Sequence, residues 1–289
     1  MEDSGRRALR ARAVNAVAHT QSLRAREPEW RSEVHPLADG WLILAGRGMY
    51  INQAVNVGGG AAVTGADLDV LLARSETLGV TPAIEVTEAT RPDNVRRIRE
   101  CGFVHRPESD ITCLIRSTAV ASPDEAAADA AEVGAPMEVA VQTTEDLGIR
   151  PVESAADLLR WQEVSAAGWG HVAADARRAS DAFAAAANAL PNEHMVIAVD
   201  PADARPLGCA SMTVRAGVAM LGGMSTLPDE RRRGVQASLV SYRLGHARRL
   251  GCDLAVTTAA SGSASERNLR RHGFVSVTAI QRFTPYTAA

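Results

Sequence analysis

The sequence contains no lysine, so its 31 basic side chains are all arginine, against 34 acidic ones. Aromatic residues are also scarce, at 4% of the chain. A net charge of −3 with so few aromatic rings argues against a nucleic-acid-binding protein. The chain has no continuous run of about 18 apolar residues and no apolar leader at its start. We therefore expect no membrane span and a cytoplasmic protein.

Cysteine is scarce as well, and its four copies lie far apart at Cys101, Cys113, Cys209 and Cys252. Four separated thiols in a chain of 289 residues suggest no disulfide framework. They also lack the close paired spacing of zinc ligands. We interpret all four as buried, reduced thiols and expect no bound metal.

Near the N-terminus, four arginines recur at helical spacing: Arg6, Arg7, Arg10 and Arg12. No aromatic platform accompanies them, as a nucleic-acid site would require. We interpret them as the solvated face of a terminal helix.

The chain is long enough for one large core or two modest ones. A stretch at residues 118–136 is rich in alanine and acidic residues, lacks aromatic residues and has little to bury. We predict that it is a linker between a first domain, residues 1–117, and a second, residues 137–289.

The most informative stretch is residues 231–237, which begins with three arginines and a glycine. It joins an apolar strand, Val218–Thr226, to a helix predicted from Val235 onward. At such a junction the first backbone N–H groups of the helix point outward, the helix dipole favours negative charge, and glycine lets a ligand approach the backbone. Arginine adds charge-assisted contacts. This context predicts a pyrophosphate site.

Residues 221–274 resemble the acyl-CoA-binding core of the GNAT superfamily of N-acetyltransferases. The signature of that superfamily is Gln or Arg, two residues, Gly, one residue, then Gly or Ala. Arg231 and Gly234 match it, whereas Gln236 replaces the final small residue. The resemblance continues through a strand, a short helix and a Gly-Phe pair, and it implies a mixed α/β fold with a mostly antiparallel, twisted sheet flanked by helices.

The first part of the chain contains a partial copy of the second. Leu78-Gly79 and Gly102-Phe103 parallel Leu250-Gly251 and Gly273-Phe274 at similar separations. This repetition predicts two tandem GNAT-like domains. The first has a triple-glycine stretch, residues 57–64, in place of the arginine loop, and no basic residue accompanies it. We therefore expect only the second domain to bind acyl-CoA, and the first to be degenerate.

Position by position, the resemblance implies three groups of contacts with acyl-CoA. They come from the strand, the loop with the start of the helix, and the following short helix. The implied residues are Met224, Ser225, Thr226, Arg231, Arg232, Arg233, Gly234, Val235, Gln236, Ala237, Ser265 and Asn268. In the superfamily the strand splays from its neighbour, the pantetheine arm pairs with its exposed backbone, and a backbone N–H beside it serves the thioester carbonyl.

The catalytic acid and base are less clearly marked. Many GNAT members carry a tyrosine acid where this chain has Leu269, and the strand that often supplies a glutamate is apolar here. His171, in the loop predicted to border the acceptor pocket, is the first candidate for the base. Glu193, beside His194, is the second. Ser225 is a candidate for activating the carbonyl through its backbone.

These features predict an acyl-CoA-dependent N-acyltransferase, with acetyl-CoA as the expected donor and no metal. The expected acceptor is the amine of a small molecule, attacked directly in a ternary complex. One alternative is a catalytically silent acyl-CoA-binding or scaffolding protein, and another is acyl transfer to a hydroxyl or thiol. The sequence leaves homodimer formation and the acceptor's identity open.

Overall fold

The computed structural model describes residues 2–119 and 147–286. The predicted linker falls almost entirely outside these residues, so the division into residues 1–117 and 137–289 stays a prediction. The helices of the described residues are α1 (Glu2–Arg26), α2 (Gly65–Leu78), α3 (Pro92–Glu100), α4 (Ala155–Trp169), α5 (Ala174–Asn188), α6 (Val235–Arg249) and α7 (Ala264–Arg271). None of them combines the length and apolarity that crossing a bilayer requires.

Twelve strands accompany the helices. They are β1 (Glu33–Leu37), β2 (Gly40–Leu44), β3 (Asn52–Val55), β4 (Ala83–Val86), β5 (Phe103–His105), β6 (Ile111–Ser117), β7 (Gly148–Pro151), β8 (Glu193–Val199), β9 (Pro206–Arg215), β10 (Val218–Thr226), β11 (Leu254–Ala260) and β12 (Val275–Pro285). All belong to one sheet in the order β1-β2-β3-β4-β12-β6-β11-β10-β9-β8-β7, with β5 paired to β12.

The sheet is mostly antiparallel, as the resemblance implies. In the described residues the parallel pairs are β3 with β4 and β10 with β11. Each is joined by one crossover helix, α2 in the first half and α6 in the second. The same strand-helix-strand-helix-strand order follows in both halves, so the predicted internal repeat is confirmed.

The two halves complete each other's sheets, which the sequence analysis did not predict. Strand β6, from the first half, pairs with β11 and with β12. Strand β12 pairs with β6 from Val275 to Ile280, and then with β4 and β5 from Gln281 to Pro285. The halves therefore cannot separate without breaking the backbone hydrogen bonds of β6 with β11 and β12 and those of β12 with β4 and β5.

Helices cover both faces of this sheet. On one face, α4 packs Trp161 and Val164 against β8, and α1 packs Ala8 beside Val218 and Val256. On the other face, α6 packs Val240 and Leu244 against β10. Helix α1 belongs to the first half, yet it lies against strands of both.

Local sequence signals place the helix ends well. Thr64 and Asp67 form the predicted capping box of α2, and Ser154 and Asp157 form that of α4. Gly170 follows α4 with φ of 72°, a left-handed conformation that ends a helix at little cost.

Two sequence interpretations are wrong. Arg12 does not lie on a solvated face, because its side chain is 14% exposed and pairs with Glu85 of β4. Arg7, which is more exposed, pairs with Asp253. Cys101 is exposed, whereas the other three cysteines are buried thiols as expected. A terminal helix has a buried face whenever a sheet lies beneath it, and a sequence does not reveal that partner.

Candidate active site

The predicted anion site lies where α6 begins. A 3-10 turn, Pro228–Glu230, ends the strand segment, and Arg232 has φ of 66°. Gly234 follows as the N-cap residue with φ of 78°, where glycine is not strained, and no side chain caps the helix. The first N–H groups of α6 therefore lack both an intrahelical acceptor and a side-chain cap.

The three arginines of this loop have different partners. Arg231 donates from Nη2 to the carbonyl of Gly168, at 3.1 Å, and so ties the loop to the end of α4. Arg233 pairs with Glu230, whose carboxylate also binds Arg205. Arg232 is exposed and forms no ion pair with any residue in the described ranges.

Glu230 organises the base of the loop. Its hydrogen bond with Arg205 and the one with Arg233 outweigh burial and hold its pKa below the ordinary range. Asp200 lies 3.6 Å from Arg233 Nη2 and adds a second negative charge. Arg233 is thus fixed by carboxylates with part of its side chain exposed, while Arg232 keeps its whole charge for a ligand.

Beside this loop, β10 and β11 separate. They pair only from Val218 to Met220 with Leu254 to Val256, although both strands continue further. Thr257 donates a 3.0 Å hydrogen bond to the carbonyl of Leu221 where the ladder stops. From there to Thr226, the edge of β10 that faces β11 has no strand partner among the residues that the structure describes.

The same segment carries an irregularity against β9. Gly222 pairs with Ser211 and Ser225 with Cys209, so the register shifts across Gly223 and Met224. Gly223 has φ of 52°, and we call this segment, Gly222–Met224, the bulge. The splay and the bulge together leave the main chain around Met224 outside both ladders.

The other residues predicted near the acyl-CoA site differ in their exposure and in their hydrogen bonds. The Ser225 side chain is buried and donates to the carbonyl of Val164 at 3.1 Å, so its hydroxyl ties β10 to α4. Gln236 donates from Nε2 to Ser265 Oγ at 3.3 Å, which joins the starts of α6 and α7. Asn268 is half-buried on α7. Leu269, at the tyrosine position, is a core residue of 2% exposure.

The two candidates for the base differ in their surroundings. His171 follows α4, and its Nδ1 is buried without a hydrogen-bond partner in the described part of the chain. Glu193 begins β8 with a side chain of 0% exposure, bound by the Thr213 hydroxyl and by His19 Nε2 at 3.3 Å. Burial alone would raise the pKa of Glu193, but His19 and the neighbouring hydroxyls lower it. The carboxylate is therefore ionised.

His194, the neighbour of Glu193, does not share its site. Successive residues of a strand point to opposite faces, so His194 faces α6 and lies 3.3 Å from His246 through their ring nitrogens. His246 has a pKa lowered by burial and by His194. Of the neighbours Glu193 and His194, only Glu193 lies on the face of the sheet that α1 covers.

The glycine stretch of the first half is closed by its own side chains. Asp39 accepts N–H bonds from Gly58 and Gly60, each at 2.5 Å. Asn94 fastens the same loop by donating to Gly58 O and accepting from Val63 N. A carboxylate of the protein thus takes the place that a phosphate would need, and α2 is capped where α6 is not.

We expect Asp39→Asn to destabilise the protein by about 1 kcal/mol, because two charge-assisted bonds at an exposed site are weakened. Burial alone would raise the pKa of Asp39, but these bonds lower it below its ordinary value of 3.8. Their contribution to stability is therefore present above pH 3.8 and is lost as the pH falls through the lower pKa of the folded state. Thermal unfolding at about pH 7 and about pH 3 checks this. The wild type and variant should converge in acid, and a constant difference would contradict the assignment. Asp69→Asn, at an exposed position of α2, is the control.

Comparison with known proteins agrees with this geometry. The profile of the acetyltransferase (GNAT) family matches residues 156–274. No curated protein matches the sequence. A GCN5-related N-acetyltransferase from Kribbella flavida has the same fold, with a TM-score of 0.59, 19% identity and coverage of 95% of this chain and 96% of that one.

Two further solved structures share the fold. A GCN5-related N-acetyltransferase from Sphaerobacter thermophilus gives a TM-score of 0.55 at 17% identity, over 76% of this chain and 65% of that one. A tandem GNAT protein from the clavulanic acid biosynthesis pathway gives 0.51 at 14% identity, over 87% and 75%. The sequence of residues 156–274 therefore matches the acetyltransferase (GNAT) family, within a chain that has the fold of GCN5-related N-acetyltransferases.

Proposed function

We propose that this protein transfers the acetyl group of acetyl-CoA to the amine of a small molecule, by direct attack in a ternary complex. The observation that carries the proposal is the uncapped start of α6 beside the unpaired edge of β10. The equivalent loop of the first half is closed by Asp39. Among the described residues, this difference supports a cofactor site in the second half rather than in the first.

The donor would bind in two parts. The diphosphate would accept hydrogen bonds from the N–H groups at the start of α6. Arg232 would supply positive charge, and Glu230 would hold Arg233 beside the diphosphate. The pantetheine arm would pair with the free edge of β10 between Leu221 and Thr226, like an added strand.

The thioester would then lie at the bulge. The main-chain N–H of Met224 is the candidate donor to the carbonyl oxygen, because Met224 lies outside both ladders whereas Ser225 is paired with Cys209 of β9. The amine nitrogen would form the new C–N bond as the C–S bond breaks and the thiolate leaves. Leu269 is packed in the core, so a water molecule would have to protonate the thiolate.

Nitrogen is the favoured nucleophile because of Glu193. A buried carboxylate with a lowered pKa attracts a cation, and an amine arrives as one, whereas a hydroxyl or thiol does not. Glu193 and His171 remain the two candidates from the sequence for a role in removing its proton, and the hydrogen bond between Glu193 and His19 favours Glu193 for such a role.

Replacing Arg232 or Arg233 by glutamate should weaken acetyl-CoA binding at least about tenfold, the scale of one charge-assisted contact. Arg232→Glu reverses a charge that the protein does not neutralise, and Arg233→Glu also sets a carboxylate beside Glu230. Calorimetry with acetyl-CoA measures the change. Arg249→Glu, on the exposed last turn of the same helix, should leave affinity unaltered. Wild-type affinity in both loop variants would defeat the diphosphate assignment.

Turnover separates the enzyme from a silent binding protein. With acetyl-CoA and a panel of primary amines, we expect release of the coenzyme A thiol with at least one acceptor. Tight binding of acetyl-CoA without thiol release on any amine, alcohol or thiol would favour the silent module, which the core position of Leu269 keeps as the second candidate.

A further inference from the structure

Helix α1 turns a polar face toward the central sheet. Arg12, Asn15 and His19 recur along it at helical spacing, and all three side chains are largely buried. Arg12 is neutralised by Glu85, but His19 bonds to Glu193 in the acetyltransferase domain. The first half therefore supplies side chains to the second half at this surface.

Two buried oxygen atoms in this region have no partner among the described residues, Asn15 Oδ1 and Glu193 Oε1. A buried acceptor without a donor costs about 1–3 kcal/mol, so such atoms indicate a missing donor. Asn15 lies one turn before His19, on the same side of α1. An ammonium group, which carries N–H donors and no acceptor, supplies the donors that both atoms lack.

Aromatic side chains stand next to these acceptors. Phe183 of α5 contacts His19 edge to face at 5.3 Å and Tyr50 at 5.2 Å between ring centroids. Tyr50 is 68% exposed, and it meets the His19–Glu193 pair through Phe183. These two rings flank the pair where the first half meets the second, and we call this place the recess.

The recess adjoins the bulge. The Ser211 hydroxyl lies close enough to Glu193 to help lower its pKa. A Cβ atom placed on Gly223 would be 2.9 Å from Ser211 Oγ, so Ser211 touches the bulge on its other side. One side chain thus separates Glu193 from the main chain that would hold the thioester.

We propose that this recess is the acceptor site and that His19, positioned by Glu193, takes the proton of the attacking amine. The proposal rests on the proposed function and names its substrate class: a primary amine that enters as a cation with an apolar or aromatic body. The amine loses one proton to solvent on binding. Its nitrogen then bonds to the thioester carbon, the second proton passes to the imidazole, and the thiolate leaves.

The charged and titratable groups around the imidazole are few. They are Glu193 on β8, Tyr50 in the loop before β3, and Arg12 on α1 itself, whose charge Glu85 balances. Phe183 on α5 is uncharged. Glu193 holds one ring nitrogen, so a proton gained at the other gives an imidazolium beside a carboxylate, as in other His–carboxylate pairs that act as bases.

Four variants test the proposal: His19→Gln, Glu193→Gln, His19→Ala and, as the control, His35→Gln. His35 forms another His–Glu pair, with Glu33 at 2.7 Å, at the far edge of the sheet. We expect the first two to reduce kcat at least about 100-fold, the usual scale of general-base catalysis, with acetyl-CoA affinity within about twofold of wild type. The control should match wild type in both. Added imidazole should restore part of the activity of His19→Ala, which a purely structural role would not allow.

A second measurement does not depend on turnover. In protein with ¹⁵N-labelled histidine, phenethylamine should shift the His19 signals saturably in wild type and not in Glu193→Gln. The proposal falls if no amine moves those signals, or if His19→Gln keeps the wild-type rate and pH profile. Either result leaves the proposed function standing as long as acetyl-CoA still binds at α6. If the wild-type protein does not bind acetyl-CoA, both the proposed function and the proposed acceptor site fall.

Discussion

Gly168→Val should destabilise the protein by about 3 kcal/mol, the upper end of the usual cost of overpacking. Gly168 lies near the end of α4, where the helix meets β10. A Cβ atom there would clash with the Ser225 hydroxyl and lie 2.7 Å from Ser225 Cβ and 3.1 Å from the carbonyl of Thr226. Backbone cannot rotate away as a side chain can, so the strand or helix must move. Chemical denaturation measures the loss.

The same substitution should weaken acetyl-CoA binding, because Thr226 belongs to the unpaired edge of β10 and Gly168 O is the acceptor for Arg231. Gly65→Ala is the matched control. Gly65 also lies in a helix, and a Cβ atom there meets nothing within 4 Å, so this variant should be at least as stable as wild type. A Gly168→Val protein of wild-type stability would mean that α4 is not held against β10.

Much of the donor site was predictable because its residues are contiguous. Residues 218–237 contain the strand, the loop and the start of the helix, and each part carries its own local signal in apolar runs, proline and glycine. The uncapped N–H groups follow from Gly234 alone, since glycine has no side chain to cap them. The different roles of the three arginines could not be predicted from the sequence, because they depend on contacts with Glu230 and Asp200 that form only in the folded chain.

Strand exchange could not be read from the sequence. β6 and β12 are apolar strands whose side-chain pattern fits any neighbour with a buried face. Nothing in that pattern states that β6 lies between β11 and β12 rather than beside the strands of its own half. The internal repeat predicted two similar units, and the structure adds that each unit borrows a strand from the other.

Side-chain pairs far apart in the sequence were missed for the same reason. His19 and Glu193 are 174 positions apart, and Arg12 and Glu85 are 73 apart. Each arginine or histidine of α1 has the spacing of a solvated helix face when the chain is considered without its fold. A pattern of Arg12, Asn15 and His19 at helical spacing is the one signal that could have suggested a polar face turned inward.

The first half has no open anion site at its glycine loop. Asp39 fills that loop and holds it as an internal hydrogen-bonded turn. Strand β6 of the first half nevertheless completes the sheet next to β11 of the second half. The first half thus contributes structure to the half in which we propose the cofactor site.

Arg243 is a buried cation at the back of the bulge, and no local pattern distinguishes it from the many exposed arginines of the helices. Its guanidinium donates to the carbonyls of Ser211, at 2.9 Å, and Gly222, at 3.1 Å, and contacts Met224 Sδ at 3.0 Å. No carboxylate pairs with it within the described residues. Burial lowers its pKa to about 9, so it remains charged at neutral pH.

Arg243→Met should therefore cost about 3 kcal/mol or more, since it removes a buried charged donor that binds the carbonyls of Ser211 and Gly222. In protein that still folds, kcat should fall by a larger factor than acetyl-CoA affinity, because the bulge loses both its support and a positive charge behind the thioester carbonyl. Denaturation, calorimetry and thiol release on the same preparation separate these effects. Arg248→Met, on the exposed side of α6, is the control and should change neither. Equal losses in rate and affinity would show that Arg243 supports the whole cleft rather than the bulge.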